Sequence, residues 1–141
     1  PGGKPELGRA ALTEAGRRFT VLILKPLQGD QPPAERLSAM LAGVARFHAG
    51  GTPASLMNTL TLGDGLALFG KDIRNTITAW QRLIARALEE LGRPADAARL
   101  EAEDAIARIE GALVLARLSD DADSFPQALA RLAATLGVPA P

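Results

Sequence analysis

Cysteine is absent from the 141 residues, and histidine occurs once. Without cysteine, no disulfide and no thiolate metal site can form. With one histidine, His-rich zinc sites are out, and a Ser-His-Asp triad would rest on that residue alone. An excess of either charge is also lacking. Lys plus Arg number 16 and Asp plus Glu number 16, so the formal net charge is zero. The basic excess expected of a free-standing nucleic-acid binder is missing, and so is an acidic tail. Long hydrophobic runs are missing too. The longest strongly apolar stretches, residues 21–24 and 112–116, fall far short of the roughly 20 residues of a membrane span. With no signal peptide in view, a cytoplasmic protein is expected. The chain opens at Pro1 and not at methionine, so a longer parent protein is expected.

Catalytic constellations are equally scarce. The pairs Glu89-Glu90 and Asp120-Asp121 are adjacent in sequence, and neighbours on a helix do not face each other. Gly63-Asp64-Gly65 lacks the Lys and Ser/Thr of a phosphate loop. No nucleophile pairs with a plausible base, so the expectation is a protein that is not an enzyme, with no cofactor and no metal.

What is present is alanine, leucine, arginine and glutamate, with almost no β-branched alternation. That composition predicts an all-α domain of about six helices. The first begins near Lys4, with Pro5 and Glu6 suited to a first turn. It carries Leu12, Ala15, Phe19, Leu22 and Ile23 along one side, and Pro26 followed by Gly29-Asp30-Gln31-Pro32-Pro33 ends it. The second starts at Pro33 or Ala34, with a stripe of Leu37, Met40, Leu41, Val44 and His48, and stops at Gly50-Gly51. Residues 52–70 read as short helices joined by turns, interrupted by Gly63-Asp64-Gly65. A clear amphipathic helix follows from Asp72, which would cap it or sit in its first turn. Ile73, Ile77, Trp80, Ile84, Ala87 and Leu91 recur there at three or four residues, and Gly92 and Pro94 give a stop. The fifth helix runs from Pro94 to about Leu118. Its second half is apolar on nearly every side, so it must be covered on more than one side. Ser124 to Gln127 reads as a capping box opening the sixth helix, which Gly137 ends.

Four stretches resemble TetR-type bacterial repressors. PGGKPEL (residues 1–7) looks like the segment after the recognition helix, where a Gly-Lys pair and a Glu-Leu pair lead into the fourth helix. GGTPASLMNTLTLGDG (50–65) resembles the middle of one subgroup. KDIRNTITAWQRLIARAL (71–88) resembles the helix before the dimer pair, and IEGALVLARLSDDADSFPQALARL (109–132) the last two helices. The resemblance implies an effector-binding and dimerisation domain spanning residues 1–141. In it, the first helix (4–27) would link to a DNA-reading head, and the helices of 94–136 would pair with a second copy in a four-helix bundle. The helix-turn-helix that would precede Pro1 lies outside these residues, so DNA is a partner only through that N-terminal part.

Within that frame, the ligand-binding candidates are Met40, Val44, His48, Met57, Asn58, Phe69, Ile73, Ile77 and Trp80. Pockets are mostly apolar with a few placed polar groups, and methionine adapts its shape. Each apolar member reads equally as ordinary core. His48 reads alternatively as a helix-end histidine favoured by the dipole. Asn58, with Thr59 and Thr61, could instead satisfy backbone groups at a helix end. For the homodimer interface the candidates are Gly111, Leu115, Leu118, Leu129, Leu132 and Leu136. Gly111 would permit a close helix crossing, and Glu110, costly to bury alone, would pair with Arg117, Arg108 or an arginine of the second copy. Arg17-Arg18 reads as a solvated basic face or as a phosphate contact. The functional expectation is the sensing half of a repressor, with a small apolar effector releasing DNA. The alternative is a stand-alone helical adaptor with a filled core.

Overall fold

The computed structural model describes residues 4–49 and 64–141, with the side chains of 4, 5, 7–9, 11, 12 and 64–71 left aside. The regular elements are α1 (Lys4–Phe19), a π turn (Thr20–Leu24), α2 (Lys25–Leu27), α3 (Pro33–Ala49), α4 (Asp64–Glu90), α5 (Ala95–Leu118) and α6 (Ser124–Leu136). Because α1, the π turn and α2 run on without a break, the described residues form five rods, all helical.

The first rod runs to Leu27, so Pro26 sits inside its last turn and the stop comes just before Gly29. Pro26 lies within α2, and the π turn directly precedes it. A proline ring in a regular α-helix clashes with the carbonyl four residues back, here that of Leu22, and offers it no N–H. The π turn resolves this. The Lys25 N–H reaches back five residues to the Thr20 carbonyl, and the extra residue re-aims the Leu22 carbonyl away from the ring. That carbonyl points at α3. A Cβ built on Gly43 would sit 1.7 Å from the Leu22 oxygen, so only glycine fits this crossing, and its Cα–H faces the displaced oxygen.

Arg36 was not anticipated as a core residue. It is 5% exposed, and its guanidinium gathers the end of the first rod. Nε donates to the Gln31 carbonyl at 2.8 Å, Nη1 to the Leu27 carbonyl at 3.5 Å, and Nη2 to Glu90 at 2.6 Å. Carbonyls left over at a helix end need such donors.

Helix α4 is longer than its periodicity indicated. It starts at Asp64, so Asp72 lies mid-helix, and the Asp72 carbonyl accepts the Thr76 hydroxyl at 3.1 Å. Gly65 and Gly70 each cost about 1 kcal/mol relative to alanine, yet extending a helix already nucleated by the Ile73–Leu88 stripe is cheap. That stripe faces inward while Arg74, Thr78, Arg82 and Arg86 face solvent. Against it packs α5, whose inner row Ala98, Ala102 and Ala105 is fully buried. Small side chains in that row let two long helices approach closely. α6 then lies on α5 and α3. Gly92 and Gly137 close α4 and α6 with positive φ of 105° and 77°, each with paired returns of the Schellman type, such as Val138 N–H to the Ala133 carbonyl at 3.0 Å. The capping box at Ser124 does not form. Asp123 holds the cap position without a side-chain bond, and Ser124 is already helical. Instead the acidic turn is tied internally, Ser119 Oγ accepting from Asp121 N–H and Asp121 Oδ1 from Asp123 N–H.

Candidate functional site

The centre of the domain is a row of rings in edge-to-face contact. Trp80 of α4 meets Phe19 of α1 with centroids 5.1 Å apart, and Phe19 meets Phe47 of α3 at 5.5 Å. Phe47 then meets His48 at 5.3 Å, and His48 meets Phe125 of α6 at 5.2 Å. Four helices thus converge on one aromatic row, in the geometry that the ring quadrupole favours. Of the ligand-binding candidates, Met40, Val44 and Trp80 belong to the same buried cluster, with Ile77 packed against it, His48 in the row between Phe47 and Phe125, and Ile73 also buried on α4. Met57 and Asn58, with Thr59 and Thr61, lie outside the described residues, as does the side chain of Phe69.

Three nitrogens along this region have no hydrogen-bond partner although they are buried: Trp80 Nε1, His48 Nδ1 and Arg18 Nε. A desolvated donor left unmade costs about 1–3 kcal/mol, and native structures carry few of them. The Arg17-Arg18 pair therefore divides. Arg17 is solvated and bridges Glu14 at 2.6 Å, whereas Arg18 turns its Nε inward.

His48 is not the dipole-stabilised cation of a helix end. Burial, with the Arg117 guanidinium adding to it, lowers its pKa to about 4. The ring is neutral at pH 7, one nitrogen donating and one able to accept. On α5, burial raises the Glu110 carboxyl above its usual range, and Arg117 opposes that rise. Arg108 is engaged elsewhere, donating to the Thr135 hydroxyl at 3.0 Å.

A pH dependence follows. Because the folded pKa of His48 is depressed, only the unfolded chain takes up this proton as pH falls from about 6.5 to about 4. Stability from this group is complete above pH 6.5 and drains away across that window, by about 2–3 kcal/mol. Glu110 has the opposite sign. Its raised folded pKa makes acid favour the fold, so it offsets part of the loss near pH 4.5. Denaturant melts of His48→Phe, which keeps a ring between Phe47 and Phe125, are expected to be less pH-sensitive than wild type between pH 6.5 and 5. Parallel curves for the two proteins would contradict the buried, neutral assignment.

The dimer candidates separate into two groups. Leu129, Leu132 and Leu136 are at most 2% exposed and pack into the chain's own core. Leu115 and Leu118 are 66% and 82% exposed, and Val114 beside them is 49% exposed. Gly111 is exposed on the same helix, with open space where a Cβ would point. Next to this strip, α5 and α6 bound a groove of about 280 Å³ lined by Arg108, Gly111, Ala112, Leu115, Leu129 and Leu132. Leu129 and Leu132 thus form its floor and the α5 residues its exposed rim. Val114 was the member of this face that the sequence analysis did not single out, although it lies in the all-round apolar half of α5.

Among the described residues no group of acidic, histidine or cysteine side chains is placed to hold a metal, and no helix is long and apolar enough to cross a membrane. No curated protein and no solved structure matches the chain. Residues 33–131 match the family described as transcriptional regulator LmrA/YxaF-like, C-terminal domain. That span runs from the start of α3 into α6, so it takes in the aromatic row's α3, α4 and α6 members and the exposed face of α5. The chain belongs to this family of TetR-type C-terminal regulatory domains.

Proposed function

We propose that the chain is the ligand-sensing and dimerisation domain of a bacterial, cytoplasmic TetR-type repressor, in which a small, largely apolar effector releases DNA. The observation that supports the reading is the pairing of two features that lie largely within the family match: an aromatic row with unpartnered buried nitrogens, and an exposed apolar strip on α5. The first supplies a ligand wall and the second a face for a second copy. The rod of α1, π turn and α2 lies against α3 and α4, so a change at the row would reach the end of the chain that leads toward Pro1. An effector acting this way binds the DNA-incompetent form better, typically by about 1–3 kcal/mol of coupling.

A helical adaptor is the second reading, because Met40, Val44 and Trp80 are as fully buried as a filled core requires. Trp80 decides between them. As the single tryptophan, it reports any occupant of the row. A panel of apolar compounds is expected to include at least one that changes Trp80 emission saturably and raises the melting temperature, the latter by mass action. If no compound moves either signal, the adaptor reading replaces the sensor.

A further inference from the structure

We infer that, in the dimer proposed for this chain and resting on that reading, the two copies of α5 pair antiparallel, with their closest approach at Ala107 and Gly111. Helix α5 carries two rows on opposite sides. The inner row, Ala98, Ala102, Ala105, Ile109 and Leu113, is buried in the chain's own core. The outer row is Leu100, Asp104, Ala107, Gly111, Val114 and Leu118, and every member is exposed. Its steps alternate between four and three residues throughout, which is how one helix keeps a continuous seam against another. Single exposed leucines need no explanation, but here Leu100, Val114 and Leu118 fall in line and Leu115 flanks them. Asp104 sets the direction. Parallel helices would put the two Asp104 carboxylates in one apolar layer, a costly place for like charges. Antiparallel helices set Asp104 opposite Val114 of the second copy and hold the two carboxylates about 15 Å apart along the seam. The leucines set the register. Sliding by one heptad either way leaves Leu100 or Leu118 beyond the end of the other helix. One register gives both a partner: Leu100 against Leu118, Asp104 against Val114, and Ala107 against Gly111, each layer occurring twice about the two-fold axis. The small pair then falls at the axis, and Gly111 has open space where a Cβ would point. The groove between α5 and α6 lies along the edge of the seam that carries Arg108 and Leu115. In an antiparallel pair that edge of both copies lies on the same side, so the two α6 helices meet over it and complete a four-helix bundle.

Thiol bridging tests this cleanly, because the chain has no cysteine of its own. Leu100→Cys and Leu118→Cys are made as separate variants. Both replace exposed side chains, 51% and 82% accessible, so the fold should stand. Dibromobimane, which joins two thiols only when they lie close together, is added to each variant alone and to the two mixed and left to exchange subunits. A band of twice the chain mass is expected from the mixture and from neither variant alone, since like positions lie about 27 Å apart in this register. Bridging of Leu118→Cys with itself would overturn the register, and bridging of both variants with themselves would show a parallel pair. No bridged band, with a wild-type chain that sediments as a dimer, would overturn the seam and leave the dimer reading in place. A wild-type chain that sediments as a monomer would remove the dimer reading, and this pairing with it.

Discussion

Gly43→Ala is expected to destabilise the domain by about 3 kcal/mol or more, the upper range for an overpacked interior. A Cβ at this position would stand 1.7 Å from the Leu22 carbonyl oxygen and 2.7 Å from its carbon. Those are backbone atoms in a buried crossing, so no side chain can swing aside. α3 or the π turn must shift as a body. For a domain of this size the cost corresponds to a fall of about 10 °C in melting temperature. The same variant tests why the π turn exists. If Pro26 displaces the Leu22 carbonyl onto Gly43, then Pro26→Ala gives that carbonyl an N–H partner back and lets the rod relax toward a regular α-helix. The double variant Gly43→Ala, Pro26→Ala should then be more stable than the two single costs predict, a coupling of the kind that close neighbours show. Additive costs, or a Gly43→Ala melt within about 2 °C of wild type, would mean that the crossing is looser than the geometry implies.

Much of the fold was legible because it rests on local rules. Gly92 and Gly137 mark helix ends since a positive φ is needed there, and a stripe such as Ile73, Trp80 and Ile84 names the face that is buried. The all-round apolar half of α5 likewise foretold an outer face left over after the core is built, and Val114, Leu115 and Leu118 occupy it. What stayed hidden depends on partners far along the chain. Nothing near Pro26 announces a π turn, because its compensation is Gly43 on the next helix. Arg36 reads as a surface arginine until Glu90, the helix-end carbonyl of Leu27 and the loop carbonyl of Gln31 surround it. The start of α4 was missed because glycine content argues against helix locally, while propagation from a strong stripe overrides it.

The candidate site was legible in outline and not in its chemistry. Periodicity placed Met40, Val44 and Trp80 on inward faces, but it cannot say which inward polar atoms find partners. That Trp80 Nε1 and Arg18 Nε do not is a fact of packing. Nor does a stripe reveal which of two neighbours it serves. α6 is a helix of 13 residues with one apolar stripe, and its own core claims Leu129, Leu132 and Leu136 first. Leu129 and Leu132 serve that core and also line the groove beside the exposed strip of α5.

That division sets the sharpest expectation for the proposed dimer. Leu132→Glu puts a carboxylate at a site 2% exposed and should unfold the chain, whatever its state of assembly. Leu115→Glu with Leu118→Glu changes side chains that are 66% and 82% exposed within one copy, so the isolated fold should survive with its helical circular dichroism intact. In a two-fold interface the same patch meets itself. Two substitutions therefore become four carboxylates within one apolar contact, losing two leucine anchors and adding like-charge repulsion. Central interface residues cost about 2 kcal/mol or more each when removed, so the dissociation constant should rise by at least about 100-fold. Sedimentation equilibrium is expected to show a dimer for wild type and a folded monomer for the double variant. A double variant that still sediments as a dimer would place the interface elsewhere than the outer strip of α5. A wild-type chain that sediments as a monomer would remove the reason for that strip's exposure and leave its apolar side chains to some other partner.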